Sequence, residues 1–431
     1  MSKKVFIAEQ ETLLEVQEQV EKLVRNLVPD DAPIYGMVIH EASDLNPATR
    51  VEYLGANKGF TPMTMNMSTH AMNYGSWADW RWLKANVPVM CNWDGGIDYF
   101  LNPDDYTKKA DGTASDVSNV DYAGDAMAIV KKIYKKEYKV GNDRYVYFCE
   151  RKVDDDFRAV GFNVLGKERD YMLIPMFYGS VDGNGKMRSI AGQWSCLTAT
   201  GPAADGSTGK DMGTAEQYAA IQAASKNALF FGGALVNTLA DICIMLTKST
   251  DSQGAFGSGM CSTYIEDKAQ HYGTRINTVI GGDQFYGSND GASFNKIFHS
   301  CVLGSYMLWQ RDPYMLLVNG RIKVSPDYTY DLTGASYLDT GVDLSENGFY
   351  ATTQAIKDFG AVPAKGVMGS TAIGYCDHTW VNTGITAVSL RFGACVDGLD
   401  AGLWARALLN VAADAWWTCG ASKLLPAPAA S

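Results

Sequence analysis

The sequence predicts an α+β protein in which a short N-terminal helix precedes a small β-rich module and a larger domain of many short strands. Residues 8–28 carry apolar side chains at the spacing of an amphipathic helix. From residue 34 onward, Asp-Gly and Asn-Pro pairs separate short apolar runs, as hairpins require. A second helical region is predicted over residues 214–250, before another series of strands. We assign the three parts to residues 1–30, 31–122 and 123–431.

The first helix carries an apolar seam of about three heptads. The members of the seam alternate three- and four-residue spacings and are Leu13, Val16, Val20, Leu23 and Leu27. An isolated helix of this length is marginal in water, so the seam predicts burial against copies of the chain or against another domain. Self-association is favoured, which predicts a homo-oligomer. Residues 29–33 end the helix and are interpreted as a linker.

Charge and composition argue against several classes of function. The 431-residue chain has a formal net charge of −11, which disfavours general nucleic-acid binding and binding to anionic membranes. No apolar run reaches the roughly 20 residues that span a bilayer, and the N-terminus lacks the apolar core of a secretory signal peptide. The nine cysteines are scattered without a CxxC pair, so reduced buried thiols are expected. The basic cluster over residues 131–136 is interpreted as the solvated face of a strand.

Catalytic and metal-binding motifs are missing from the sequence. Residues 206–211 resemble a phosphate-binding loop but lack its first glycine and the Ser or Thr expected after Lys210. The five histidines show no metal-ligand spacing. Cys376, Asp377 and His378 are neighbours along the chain, whereas a nucleophile and its base meet in the fold. The sequence therefore predicts no enzyme, no cofactor and no metal site.

The stretch from residue 390 to residue 422 mixes glycines and large apolar residues with positions that follow no single helical or strand period. Glycines mark tight turns or close packing. Two interpretations stay open at this point. The stretch forms either Gly-rich core strands that close a β-rich domain, or a fixed scaffold that displays a freely chosen binding surface. Trp404, Leu408 and Trp417 suit the scaffold, because large apolar residues at regular places suit a core.

Several stretches, in order, resemble the tail-fibre or receptor-binding proteins of phages and prophages of gut bacteria, among the variable proteins of diversity-generating retroelements. They include KKVFIAEQET, CNWDGGIDYFLNPDDYTKKADGTASD, GDAMAIVKKIYKKEY, the helix pair before STDSQGAFGSG, and the final pattern FGxxxxGxxAGLW…WxxGAS. The resemblance implies a C-type lectin-like fold for residues 123–431, with a variable region over about 390–424.

The resemblance also implies a receptor-binding adhesin of the virion tail, synthesised in the bacterial cytoplasm and assembled as a homo-oligomer, with a trimer favoured. Its partners would be a protein or glycan of the host-cell surface and other virion tail proteins. In that family a reverse transcriptase rewrites adenines, mostly within Asn codons. Such changes cannot produce Trp, Lys, Glu, Gln or Met. The last four do not occur over residues 395–419, whereas Trp404, Trp416 and Trp417 would have to belong to the fixed scaffold or, in one case, come from a different codon. The implied ligand-binding positions are Cys395, Val396, Asp397, Leu399, Asp400, Ala405, Ala407, Asn410, Val411, Asp414, Trp416, Thr418 and Cys419.

Two alternative functions stay open. A structural virion protein would bind only neighbouring virion proteins and would not attach to cells. An oxidase that shares the lectin-like fold of formylglycine-generating enzymes would need a reactive cysteine pair. Cys376 with Cys395 or Cys419 shows no sequence pattern that supports such a pair.

Overall fold

Short strands with one or both faces buried make up most of the structure. A computed structural model describes residues 31–41, 44–195, 212–262, 277–278, 283–291, 293–345, 348–368 and 371–428. Of these residues, 39% lie in strands and 13% are helical. No helix within these ranges has the length and apolar character needed to cross a membrane.

The described residues up to 195 form short strands and one short helix. The strands are β1 (Tyr35–His40), β2 (Val51–Gly55), β3 (Thr64–Asn66), β4 (Ala71–Asn73), β5 (Pro88–Asn92), β6 (Ile97–Asn102), β7 (Asp105–Lys109), β8 (Gly124–Lys131), β9 (Tyr134–Val140), β10 (Asp143–Cys149), β11 (Asn163–Val164), β12 (Lys167–Glu168), β13 (Tyr171–Pro175), β14 (Ser180–Val181) and β15 (Met187–Arg188). Helix α1 spans Arg81–Lys84, after a 3₁₀ turn at Gly75–Trp77.

The described residues from 212 to 428 form longer strands and four helices. The strands are β16 (Leu229–Phe230), β17 (Trp309–Val318), β18 (Arg321–Val324), β19 (Leu338–Asp343), β20 (Gly348–Lys357), β21 (Gly360–Val367), β22 (His378–Val381), β23 (Thr386–Phe392), β24 (Gly402–Leu408), β25 (Cys419–Gly420) and β26 (Lys423–Pro426). The helices are α2 (Thr214–Ala224), α3 (Gly233–Thr247), α4 (Ser252–Phe256) and α5 (Cys301–Gly304). A second 3₁₀ turn spans Gly398–Asp400.

Three large sheets organise these strands. The first has four strands in the order β2-β1-β10-β9, and the second has seven in the order β16-β26-β13-β8-β5-β6-β7. The third is a nine-stranded, nearly closed, barrel-like sheet in the order β19-β18-β17-β23-β24-β22-β20-β21, with β25 beside β17. Its neighbours pair antiparallel except at β22–β24 and β17–β25, which are parallel. The seven-stranded sheet joins strands from both sides of the predicted boundary between residues 122 and 123.

The predicted α+β class is wrong, because the described chain is mostly β. The second helical region does form, as α2 and α3, but these helices have only 11 and 15 residues. Where the prediction has a lectin-like α+β domain, the chain instead forms the nearly closed nine-stranded sheet and contributes strands to the seven-stranded one. The predicted coiled-coil helix at 8–28 lies outside the described residues, and none of those described forms a coiled coil.

Helix α3 lies in the core, with residues 233–246 all buried. A helix that is apolar around most of its circumference must be surrounded by protein, which explains this position. Two buried polar side chains of α3 connect it to different sheets. Asn237 Oδ1 accepts hydrogen bonds of 2.9 Å from Arg391 of β23 and from Arg406 of β24. Asp241 connects the helix to the four-stranded sheet.

The Asp241 carboxylate lies in a buried cluster of charges. Its Oδ2 accepts hydrogen bonds from Lys135 Nζ at 2.5 Å and from Arg144 Nη2 at 2.6 Å, and Glu137 pairs with the same two cations. Lys135 and Lys131 are each only 2% exposed. The predicted solvated basic face over residues 131–136 is therefore wrong at these two positions, because strand residues alternate between faces and these two point into the core.

A second buried ion pair joins the nine-stranded sheet to α3. Asp312 of β17 binds Arg391 Nε, and both side chains are fully buried. The other carboxylate oxygen of Asp312 accepts the Gly233 N–H at 2.8 Å, at the start of α3. Burial and the neighbouring Arg391 lower the pKa of Arg406, which lies beside the same cluster. Asp312 is the carboxylate that pairs directly with Arg391, and Asn237 and backbone carbonyls accept the other hydrogen bonds of the two guanidinium groups.

Asp312→Asn keeps the shape of the side chain and removes the charge that compensates Arg391. We expect the free energy of unfolding to fall by about 3–5 kcal/mol, because breaking a buried ion pair leaves an uncompensated charge. Urea denaturation measures the change. Asp155→Asn is the control, since it removes a fully exposed partner of Lys152 and should leave the midpoint unchanged. A midpoint for D312N equal to that of the control would contradict the assigned role of Asp312.

Candidate functional site: the C-terminal surface

Strand β24 carries the predicted positions Ala405 and Ala407 on the face of the nine-stranded sheet that points away from α3. Side chains alternate along a strand, so Arg406 between them faces the other way and binds α3. Parallel pairing places Trp380 of β22 beside Ala407, and antiparallel pairing places Leu390 of β23 on its other side. These side chains form the floor of an outer surface. They pack in one apolar cluster with Trp309, Ala394 and Cys419.

Four aromatic rings border this floor and are named here the aromatic row: Tyr350, His378, Trp380 and Trp309. The ring centroids of consecutive members lie 4.8, 4.4 and 5.3 Å apart, in edge-to-face arrangements. His378 and Trp380 are half-buried, whereas the two end members are buried. Edge-to-face contacts hold each ring in place. The row therefore offers rigid contact area at low entropic cost.

Two loops at opposite ends of β24 carry most of the other predicted positions. The first loop, residues 393–401, exposes Val396 by 48% and Leu399 by 65%. Asp400 of this loop accepts a 2.6 Å hydrogen bond from the Tyr350 hydroxyl, which joins the loop to the aromatic row. The second loop, residues 409–418, exposes Trp416 by 54%.

The backbone of the 393–401 loop is fixed by the residues around it. Gln253 Nε2 donates to the carbonyl oxygens of Gly398 and Ala401 at 2.8 and 2.7 Å. The Gly398 N–H donates to the Cys261 carbonyl at 2.7 Å, and the Cys395 N–H donates at 2.9 Å to a carbonyl just before β17. These bonds use main-chain atoms of the loop. The side chains of Val396 and Leu399 take no part in these bonds, whereas the Asp397 carboxylate accepts the Ala394 N–H.

The 409–418 loop is held in a similar way. The carbonyl oxygens of Asn410, Ala412 and Thr418 accept backbone N–H bonds of 2.8–2.9 Å from other parts of the chain. The Asp414 carbonyl accepts a hydrogen bond from Arg311. The Asp414 carboxylate also closes a turn within the loop, because its Oδ2 accepts the N–H three residues earlier at 2.9 Å.

The thirteen predicted positions lie on β24, on β25 and in the two loops, but in different environments. Those that reach the surface are exposed or half-buried and are Val396, Asp397, Leu399, Asp400, Asn410, Val411, Asp414, Trp416 and Thr418. The other four are buried, at 4% exposure or less, and are Cys395, Ala405, Ala407 and Cys419. Trp404 and Leu408 are buried, in agreement with the predicted scaffold role, and Trp417 is half-buried.

The sequence predictions did not include the aromatic row. Part of the aromatic row could be predicted from the sequence. In the run His378-Thr379-Trp380-Val381, ring-bearing and β-branched residues alternate, which predicts a strand with His378 and Trp380 on one face. The contact of that face with Ala407 depends on the parallel pairing of β22 and β24. No local pattern in the sequence indicates this pairing.

Three thiols bear on the alternative of a cysteine oxidase. Cys376, Cys395 and Cys419 are all buried, and burial raises the pKa of the Cys376 thiol. A raised pKa disfavours the thiolate, which is the reactive form. Cys376 is therefore not an activated nucleophile. Within the part of the chain that the structure describes, no three His, Cys, Asp or Glu side chains are grouped as metal ligands would be.

Gln253→Leu tests whether this side chain positions the 393–401 loop. The variant has a similar volume but leaves the carbonyls of Gly398 and Ala401 without their donor. We expect a loss of about 1–3 kcal/mol in the free energy of unfolding and faster amide hydrogen exchange at Gly398. Gln222→Leu, which removes a hydrogen bond to a carbonyl outside this loop, should leave exchange at Gly398 unchanged. Equal exchange at Gly398 in both variants would show that Gln253 does not hold the loop.

Asp397→Asn tests a titration within the same loop. Burial raises the pKa of Asp397 from 3.8 to about 6, and Asp400 adds to the rise, whereas the hydrogen bond from the Ala394 N–H opposes it. Between these two pH values the folded protein binds more protons than the unfolded chain, so the contribution of Asp397 to stability falls as pH rises. In urea denaturation from pH 4 to pH 7, the free energy of unfolding of D397N should therefore increase relative to that of the wild type as pH rises. A constant difference would contradict the raised pKa.

No model of a protein family matches this chain, and no curated protein matches it. The arguments for its function therefore come from its own residues and geometry.

Proposed function

We propose that the protein is a receptor-binding adhesin of a phage or prophage tail, and that its C-terminal surface binds a protein or glycan of the host cell. One observation carries the proposal: two loops with fixed backbones expose their side chains beside the aromatic row. A fixed backbone lowers the ordering cost of binding. The half-buried rings of His378 and Trp380 add contact area that need not be ordered.

We further propose that this surface is diversified over residues 395–419. The support is the pattern of hydrogen bonds that hold the two loops, since most of them end on main-chain atoms. Replacing Val396, Leu399 or Trp416 would leave those bonds in place. Asp397 and Asp414 differ, because their carboxylates accept backbone N–H groups of their own loops. We expect these two positions to tolerate fewer replacements.

Several copies of the surface would act together in the proposed adhesin. The apolar seam of residues 8–28 supports a homo-oligomer, with a trimer favoured, and the other tail proteins would carry it on the virion. Linked copies raise the effective concentration at a cell surface, so binding becomes strong even where each single site is weak.

Val396→Arg tests the surface directly, because the side chain of Val396 is exposed on the first loop. The labelled full chain is applied to a panel of gut bacteria, and bound protein is measured by flow cytometry. We expect V396R to lower binding at least tenfold, since a long charged side chain would disturb a fitted contact. Val120→Arg is the matched control, because Val120 is 53% exposed and Val396 is 48% exposed. Absence of binding to any strain, together with binding to purified virion proteins, would favour a structural virion protein.

Sequencing the gene from many individuals of one population tests the diversification. We expect substitutions confined to residues 395–419, all reachable by changes at adenines, with Asp397 and Asp414 varying least. Substitutions spread evenly along the chain, or none at all, would leave a fixed adhesin and contradict the diversified surface.

A further inference from the structure

We propose that a cleft beside Leu399 is a separate binding site that takes a neutral hexopyranose unit of a glycan. This side cleft has a volume of about 670 Å³, within the range of roughly 300–1,000 Å³ typical of ligand sites. It lies between the segment that follows β1, the beginning of α4 and the segment that precedes β22. The aromatic row does not contribute to its lining.

Three polar side chains of the side cleft are each fixed through one atom. Asn46 Oδ1 accepts the Ala48 N–H at 3.0 Å, Asn289 Oδ1 accepts the Ser258 N–H at 2.8 Å, and Asp251 Oδ1 accepts the Gly254 N–H at 2.8 Å. The second polar atom of each takes part in no hydrogen bond with the described residues. The cleft therefore presents two amide donors and one carboxylate acceptor on side chains that are already oriented.

The charges of the side cleft select against anionic ligands. Its lining includes no Lys, Arg or His among the described residues. The second carboxylate in the lining, Asp377, is buried and accepts the Trp404 N–H at 2.7 Å and the Ser252 hydroxyl at 3.3 Å, so it serves the fold. Asp251 is left as the carboxylate that faces a ligand, and it would repel an acidic sugar.

The remaining lining favours a sugar over other neutral molecules. Leu45, Pro47, Ile373 and Leu399 supply apolar contact beside the polar groups. A pyranose ring combines hydroxyl groups, which both donate and accept hydrogen bonds, with C–H faces that pack on apolar side chains. Fixed donors, one acceptor and an apolar wall match this combination.

The assignment of this sugar to the host-cell surface rests on the proposed function, whereas the chemistry of the cleft does not. Leu399 is exposed in the first loop and also lines the side cleft. A glycan held in the cleft would therefore contact the first loop. The two sites are separable, because Val396 and Trp416 do not line the cleft.

Saturation-transfer NMR on the full chain tests the proposal, with the methyl α-pyranosides of glucose, galactose and mannose as probes. We expect at least one of them to bind with a Kd near 1 mM, as for a single weak site. Asp251→Asn should weaken that binding at least tenfold while preserving α4, because Asn caps helices as well as Asp does. Ala372→Trp should block it by filling the cleft. Asp331→Asn, which changes an exposed carboxylate that also closes its own turn, is the control.

The outcomes separate this proposal from the proposed function. Absence of binding by all three pyranosides, or binding that survives Ala372→Trp, would overturn the sugar site even where the protein attaches to cells. Tighter binding of glucosamine than of methyl glucoside would assign the cleft to a cation and also overturn it. Pyranoside binding that persists in V396R would support the sugar site in the side cleft. If the protein at the same time attaches to no cell, the result would count against the adhesin.

Discussion

The buried ion pair between Asp312 and Arg391 is the interaction on which the C-terminal surface depends. It joins β17 to β23, and the same Asp312 holds the start of α3 through Gly233. Asn237 then accepts from Arg391 and from Arg406, so α3 reaches β24 as well. The floor of the outer surface is the opposite face of these strands. Its position is therefore set by polar contacts on the inner face.

This division separates what must stay constant from what is free to change. The inner face carries buried charges whose loss costs several kcal/mol. The outer face carries small side chains on β24 and two loops whose hydrogen bonds end largely on main-chain atoms. A replacement of Val396, Leu399 or Trp416 alters a contact without removing one of these bonds, whereas Asp397 and Asp414 each accept a backbone N–H of their own loop. The aromatic row lies outside residues 395–419 and would give every version of the proposed surface the same rigid border.

Part of this arrangement could be predicted from the sequence. A second helical region over residues 214–250 was predicted and forms as α2 and α3, and the exposed loop positions Val396, Leu399 and Trp416 were among the predicted binding positions. The nearly closed nine-stranded sheet was not predicted, because it depends on long-range pairs, such as β17 with β23 and with β25, that no local pattern indicates. Ala405 and Ala407 were expected to contact ligand, but a strand buried between β22 and β23 places them in the floor. Lys135 was expected in water, and its pairing with Asp241 and Glu137 explains its burial.

Strand β26 follows the proposed variable region in the chain, so the fold is complete only after that region has been synthesised. It pairs with both β13 and β16 in the seven-stranded sheet, and Lys423 forms a fully buried ion pair with Asp125. The ribosome must therefore translate residues 395–419 before this sheet can close. A premature stop codon in that region would leave β13 and β16 without their shared neighbour, and exposed strand edges promote aggregation.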